Sequence, residues 1–358
     1  MSEPNRQEQF SGTKEVDPKH RLDEAALLNY MQSNVEGFAG PLSVEEFKGG
    51  QSNPTYKLNT PGKSYVLRRK PPGTLLKSAH AVDREFRVIS ALNRTSIPVP
   101  RAYSLCTDES VLGTMFYVME YVEGRVFWEP LAPGVSKEDR AKIFDSQVSF
   151  MANLHNVDYK AIGLGDFGSP GNYFARQISR WTKQYQASET EHIEEMNRLI
   201  DWLPGNIPAD DSVSLVHGDF RLDNAILHPS QPRIVAVLDW ELSTIGHPLG
   251  DFTYHLMQWR SPDSDLGTTP PEALREMGIP SEAEYAARYC EMTGRKTIEN
   301  LDFYFAYNFF RLAGILQGIL GRVRDGTASS EHAAERADRV RPLAEAAWKY
   351  AQMAGAVA

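Results

Sequence analysis

The sequence predicts an α+β protein of two lobes, and three observations carry that reading. Short strand-like runs crowd the stretch before residue 123, and helical periodicity dominates after it. A small island of strands with charged ends, near residues 214–240, interrupts the helical part. At 358 residues the chain is long enough for one large or two medium hydrophobic cores.

The elements follow in order. LDEAALLNYMQSNV (22–35) has apolar residues at helical spacing, with Asp23 available as a cap. SVEEFKGG (43–50), TYKLNT (55–60) and SYVLRRK (64–70) read as strands punctuated by Gly-Gly, Asn-Pro and Pro-Gly, and Pro71-Pro72-Gly73 stops the third. AHAVDREFRVISALNR (79–94) puts Ala79, Val82, Phe86, Ile89 and Leu92 on one helical stripe. Strands RAYSLCT (101–107) and TMFYVMEYV (114–122) complete the first lobe. Helices are expected near 136–156, 172–187, 190–203, 248–260, 271–278, 281–293, 302–324 and 329–353. The island comprises SLVHGD, AILH and RIVAVLDW, the last two joined by the turn HPSQPR. This gives a tail over 1–20, a small lobe over 21–122 and a helical lobe over 123–358.

Composition limits the function. A hydrophobic content of 41% with 24% charged residues is ordinary for a globular protein. A net charge of −9 argues against nucleic acid as a partner, because neutralising phosphates needs a basic face. The first twenty residues are polar, lack the apolar core of a secretory signal and read as disordered. The most apolar stretch, LAGILQGILG (312–321), is only ten residues long, so no membrane span is expected. Two cysteines, Cys106 and Cys290, show no metal or redox spacing and fit a reducing, cytoplasmic setting.

Three segments carry chemistry. GGQSNPTY joins two strands, and its Gly49 and Gly50, followed by Gln51 and Ser52, would let backbone N–H groups approach a phosphate; an ordinary hairpin turn would look the same. On the third strand, Arg68 and Lys70 share a face with Val66 while Arg69 points the other way. An inward cation there needs an anion, either a ligand phosphate or a carboxylate such as Glu85. HGDFRLDN (217–224) is the richest segment, with five charged or polar chemistry-bearing residues in eight positions and Asp239 following on the next strand. An acid such as Asp219 can accept the proton of a reacting hydroxyl. An amide oxygen and a carboxylate, Asn224 and Asp239, make a hard site suited to Mg²⁺ bound with substrate phosphates. There is no HExxH, GxSxG, GxGxxG or GxxxxGK[ST], so zinc hydrolase, serine hydrolase, Rossmann and Walker-type readings lack support.

On these motifs the chain resembles the aminoglycoside-phosphotransferase-type (choline-kinase-like) small-molecule kinases, within the protein-kinase-like fold. HGDFRLDN resembles their HGDxxxxN catalytic loop, VLDWE their metal-binding strand, GHPLGDFTY the block that braces the loop, FYVMEYVEG the hinge and GGQSNPTY the nucleotide loop. The match runs from about residue 43 to 260 in order. It implies an antiparallel N-terminal lobe with one helix, ATP and Mg²⁺ as cofactors, and a hydroxyl-bearing small molecule as acceptor. It implies further that Asp219 is the catalytic base and that Asn224 and Asp239 are metal ligands. Backbone groups of Glu120, Tyr121 and Val122 would receive the adenine, and Glu85 would pair with the basic residue of the third strand. Arg68 stands where such kinases usually carry Lys, with Lys70 as the same-face alternative. His217, His247 and Asp251 would brace the loop. For the acceptor, the candidates are His255, Trp259 and Arg311, the last set in the aromatic helix FYFAYNFFRLAG.

More narrowly, VLRRKPPG, DREFRVISAL and DWELSTIGHPLGD resemble the kinase-like domains related to those fused to acyl-CoA dehydrogenases, which implies a hydroxyacyl-CoA-type acceptor instead of an aminoglycoside. The 358 residues leave no room for the dehydrogenase half. The alternative is a nucleotide-binding pseudokinase with a regulatory role, for which Arg68 is the one supporting feature. A protein kinase is disfavoured because GHPLGD begins only seven positions after Asp239, leaving no room for a long activation loop.

Overall fold

The structure, a computed structural model, describes residues 6–49, 53–71, 81–324 and 339–357. Gly50, Gln51 and Ser52 lie outside the described residues. So do Pro72 and Gly73, the starts of the helices expected at 79–94 and 329–353, and the first five residues of the tail. The chain divides into two compact units. One comprises residues 1–150, 160–164 and 221–243; the other comprises 151–159, 165–220 and 244–358. Compactness thus assigns 123–150 and the hairpin at 221–243 to the strand-rich unit, where a cut at 122/123 would not.

The first unit is built on a six-stranded antiparallel sheet in the order β1-β2-β3-β4-β6-β5. Its strands are β1 (Thr13–Lys14), β2 (Ser43–Phe47), β3 (Thr55–Asn59), β4 (Ser64–Arg69), β5 (Ala102–Cys106) and β6 (Phe116–Glu120). Alternation along the strands sorts the two faces. Tyr56, Leu58, Tyr65, Leu67, Phe116 and Val118 form a buried cluster with Leu27 and Met31 of helix α2 (Glu24–Asn34). That helix starts at Asp23, whose carboxylate accepts the Ala26 N–H at 2.9 Å. Helix α3 (Val82–Leu92) packs on β5 and β6, burying Val82, Glu85, Val88, Ile89 and Leu92. A one-turn helix, α4 (Glu109–Leu112), capped by Asp108 and closed by Gly113 at φ +81°, links β5 to β6; sequence reasoning did not expect it.

The structure corrects the reading of residues 6–20 as a disordered tail. They form helix α1 (Arg6–Phe10), strand β1 paired with β2, and a 3₁₀ turn at Pro18–His20. Low hydrophobicity misleads here because the segment docks mainly through polar groups. His20 Nδ1 lies 2.9 Å from Glu46 Oε1, and the Asp17 N–H donates to Glu46 Oε2 at 2.9 Å.

The first unit also holds the hairpin of β8 (Ala225–Leu227) and β9 (Ile234–Val237). Arg125 and Leu227 exchange backbone N–H···O bonds of 2.8 Å each, which seats the chain after β6 directly on β8. A Cβ on Gly124 would stand 2.3 Å from the Leu227 carbonyl oxygen, so only glycine permits that approach.

The second unit is mainly helical. The C-terminal end of α5 (Lys137–His155) belongs to it, followed by α6 (Tyr173–Ser188) and α7 (Glu194–Trp202). Short strands β7 (Ser214–Val216) and β10 (Thr244–Gly246) pair antiparallel. Then come α8 (Pro248–Leu256), α9 (Asp265–Thr268), α10 (Pro271–Glu276), α11 (Glu282–Thr293), α12 (Leu301–Arg324) and α13 (Val340–Met353). Ser281 and Glu284 form a reciprocal capping box that starts α11. Helix α12 packs against α6, α8 and α13 and buries most of its length. Among the described residues no helix is long and apolar enough to cross a membrane. Cys106 and Cys290 are both buried free thiols.

His255 lies in this helical core at 2% exposure, with Nε2 2.9 Å from the Tyr285 hydroxyl and Nδ1 3.3 Å from the Phe220 carbonyl oxygen. Burial pushes its imidazole down to about 4. The unfolded chain takes up this proton below about pH 6.5, whereas the folded one resists until about pH 4. The stabilisation is therefore complete above pH 6.5 and drains away as pH falls, by on the order of 3 kcal/mol. Burial lowers His247 as well, which adds to the same trend. Urea midpoints measured from pH 7 to 4.5 should fall steeply for the native chain and less steeply for His255→Gln. Equal slopes would show that His255 does not titrate in this way.

Candidate active site

The groups singled out by sequence fall into two sets, one in each unit. In the helical unit, the strand β7 ends at Val216 and the chain turns sharply through His217 and Gly218. Gly218 sits at φ +86°, a conformation that favours glycine. Its N–H and that of His217 both point at Asp251, donating to Oδ1 and Oδ2 at 2.8 Å each. Asp251 is 2% exposed and also meets His155 Nε2 at 3.2 Å, while His155 Nδ1 lies 2.7 Å from the Tyr289 hydroxyl. Burial raises Asp251, but the bond to His155, the nearby imidazoles and the His217 amide outweigh it and hold the carboxyl below its ordinary range.

His217 is fully buried, and its Nδ1 accepts the Asp219 N–H at 3.2 Å. Its ring is a support inside the loop. Asp219 receives a hydrogen bond on Oδ1 from the Tyr254 hydroxyl at 2.8 Å. Arg311, 5% exposed, donates to the Gly218 carbonyl at 2.7 Å and lies 4.7 Å from the centroid of the Tyr254 ring. His247 caps α8, with its Nδ1 accepting the Leu249 N–H at 3.2 Å and its Nε2 3.1 Å from the Asp210 carbonyl oxygen. Trp259 is half-buried and donates its indole N–H to the Pro280 carbonyl at 3.1 Å. The three side chains suggested for the acceptor, His255, Trp259 and Arg311, thus each meet protein groups.

In the strand-rich unit, a cavity of about 610 Å³ collects the second set: Arg68, Glu85, Glu120, Tyr121, Val122, Asn224 and Asp239, with Gly49 at its wall. Apolar side chains, among them Val66, Ile89, Met119, Ile226 and Leu238, supply flat surface beside them. The β8–β9 hairpin brings the metal-ligand candidates together, since the Leu238 N–H donates to the Asn224 carbonyl at 2.8 Å. Asp239 adopts the left-handed conformation, φ 64° and ψ 58°, which turns its carboxylate off the strand line. Asp223, given no role by its sequence context, lines the same cavity.

Strand β4 ends at Arg69, so Arg68 lies within it and Lys70 just beyond it. Arg68 lines the cavity and Lys70 does not. Arg69 turns to the opposite face, donating to the His20 carbonyl at 3.2 Å and lying over Tyr56. Arg68 pairs with Glu85 at 2.9 Å, with Asp239 at 2.6 Å and with Glu241 at 3.7 Å. Burial disfavours its charge, but Glu85 and Asp239 more than compensate and hold it protonated. Arg68 therefore faces three carboxylates, and the cavity lining as described holds Arg125 as well, against Glu85, Glu120, Asp223 and Asp239. A polyphosphate entering this cavity would meet surplus negative charge, which a divalent cation would offset. Asn224 and Asp239 offer the hard oxygens such an ion takes, and phosphate oxygens and water would complete its shell. Among the described residues no group of three or more His, Cys, Asp or Glu is placed so that it could hold a metal ion by itself.

Sequence reasoning missed His155, Tyr254 and residues 7–12 of the N-terminal segment, all of which touch these sites. Tyr254 lies inside the quoted block GHPLGDFTY, three residues after Asp251, and that i,i+3 spacing on one helical face was the available signal.

Residues 43–304 match the phosphotransferase enzyme family. Mouse acyl-CoA dehydrogenase family member 10 is 42% identical over 346 residues, which are 96% of this chain and 32% of that protein. Human acyl-CoA dehydrogenase family member 11 is 42% identical over 337 residues, 92% of this chain and 43% of its own. The chain thus spans less than half the length of these relatives. A solved structure from Ralstonia eutropha, described provisionally as an aminoglycoside phosphotransferase, is 53% identical with a TM-score of 0.85, covering 93% of this chain and 99% of that one. A thermostable mutant of the aminoglycoside phosphotransferase APH(4)-Ia, in ternary complex with AMP-PNP and hygromycin B, shares the fold at a TM-score of 0.60 and 16% identity. That match covers 94% of this chain and 99% of the other. With an antiparallel sheet in one unit, helices in the other and this family match over most of its length, the chain belongs to the phosphotransferase enzyme family.

Proposed function

We propose that the protein transfers the γ-phosphoryl group of ATP, with Mg²⁺, to a hydroxyl of a small molecule. The observation that carries this reading is the cavity in which Arg68, Glu85, Asn224 and Asp239 meet beside Glu120 to Val122. In such a reaction the protein does little covalent chemistry; positioning and charge stabilisation supply the rate. The main-chain groups of Glu120 to Val122 bind the adenine, and the apolar walls exclude water from its faces. Asn224 and Asp239 would hold the metal, which would neutralise phosphate charge. Arg68 keeps the cavity's carboxylates oriented and offers the phosphates a guanidinium fork in place of a lysine.

Asp219 takes the acceptor's hydroxyl proton as that oxygen bonds to the γ-phosphorus and the bridging P–O bond to ADP breaks. The Tyr254 hydroxyl donates to its Oδ1 and so orients the carboxylate that receives the proton. Relatives named as acyl-CoA dehydrogenases support a hydroxyl on an acyl chain, of the hydroxyacyl-CoA type, as the acceptor.

Asp219→Asn should bind ATP within about twofold of the native chain yet lose at least 100-fold in turnover, as expected for loss of a general base. Retained turnover would end the base assignment. Asp239→Asn should weaken binding of ATP in the presence of Mg²⁺, measured by calorimetry, with little change when the metal is chelated. An ATP-consumption screen over hydroxyacyl-CoAs, aminoglycosides, choline and homoserine should single out the hydroxyacyl-CoAs. Arg68 at the lysine position, tied to Asp239 at 2.6 Å, favours one second reading, a regulatory pseudokinase. Tight ATP binding without consumption of ATP by any acceptor in the screen would select it.

A further inference from the structure

The cavity of the first unit has a wall that the family motifs do not account for. Gln7, Phe10, Ser11 and Gly12 line it beside the hinge residues and Trp128. This stretch is pinned at three points. The Gln7 amide bonds twice to the chain after the hinge, donating to the Val126 carbonyl at 2.8 Å and accepting the Trp128 N–H at 3.1 Å. The Gly12 carbonyl accepts the Lys48 N–H at 3.1 Å, at the entrance of the nucleotide loop. The Phe10 ring lies 5.2 Å from that of Trp128, inclined by 40°.

Gly49 sits beneath this pair. A Cβ there would stand 2.6 Å from Trp128 Cη2 and 3.1 Å from the Phe10 carbonyl oxygen. The glycine that sequence assigned to phosphate approach is therefore also where the tryptophan and the N-terminal segment close onto the loop. None of residues 6–12 belongs to the buried cluster that holds α2 to the sheet.

We propose that residues 7–12 are a nucleotide-retaining strap: with Trp128 they form one wall of the cavity and slow escape of the bound nucleotide. The inference rests on the reading of this cavity as the ATP site. Binding through the strap is reciprocal, so ATP must hold the strap down as firmly as the strap holds ATP.

The test uses ATP with Mg²⁺ as the probe and needs no acceptor. Affinity is measured by calorimetry for the native chain, Phe10→Ala, Gln7→Ala and a variant lacking residues 2–12. The dissociation constant should rise about three- to tenfold in Phe10→Ala, the range an aromatic contact supplies. It should rise more in the truncated chain, with melting temperatures without ligand nearly unchanged. In the native chain, ATP should slow tryptic cleavage after the exposed Lys14. Unchanged affinity in the variants, tighter binding in any of them, or cleavage at Lys14 indifferent to ATP would each overturn the strap. If a variant fails to fold, the cleavage measurement on the native chain decides alone. Failure of the native chain to bind ATP would instead remove the nucleotide reading, and the strap with it.

Discussion

The helical unit turns on one buried anion. Asp251 places a carboxylate where water cannot reach it, and such a charge is tolerated only when its oxygens are filled. They are filled by two consecutive backbone N–H groups, of His217 and Gly218, and by His155. Just after these two amides the chain turns through Gly218 at φ +86°, a conformation that favours glycine. The bend sets the direction in which Asp219 leaves the loop. One turn further along α8, Tyr254 meets that carboxylate, so a single helix face both folds the loop and orients its acid. Arg311 finishes the arrangement by taking the Gly218 carbonyl, the group the same bend exposes.

The strand-rich unit poses the opposite problem, a cation among several anions. A lysine ammonium is a point charge and would favour one carboxylate. The guanidinium of Arg68 spreads its donors over a plane and reaches Glu85, Asp239 and Glu241 together. This ties α3 to β4 and to the turn after β9. The departure from lysine is then a difference of network as well as of side chain, since Arg68 orders the carboxylates around it. Asp239 meets Arg68 from a left-handed backbone, φ 64° and ψ 58°, just past the end of β9.

Sequence made the architecture and the linear motifs legible because both are local. Alternation in TYKLN and SYVLRR separated the core face from the cavity face, and it predicted correctly that Arg69 would leave Arg68. HGDFRLDN drew attention through its density of polar residues, although its most conspicuous member, His217, is a support. What stayed hidden depends on pairs distant in sequence. His155 and Asp251 are separated by 96 positions, and Gln7 and Val126 by 119. The tail misled for a related reason: low hydrophobicity signals disorder only when no polar docking surface exists, and Glu46 and the Val126–Trp128 backbone provide one.

The same reasoning bears on acceptor recognition. Arg311, His255 and Trp259 drew attention as polar groups in apolar helices, the places where an unexplained polar atom is costly. That cost is why each has a partner within the protein: the Gly218 carbonyl, the Tyr285 hydroxyl and the Pro280 carbonyl. A side chain that recognises a ligand must keep hydrogen-bonding capacity for it, and so tends to sit where water can serve it in the ligand's absence. Burial in a helix and selectivity for an acceptor therefore pull a polar residue in opposite directions. A sequence search for polar residues on apolar stripes finds the supports of a loop more readily than groups that would choose a substrate.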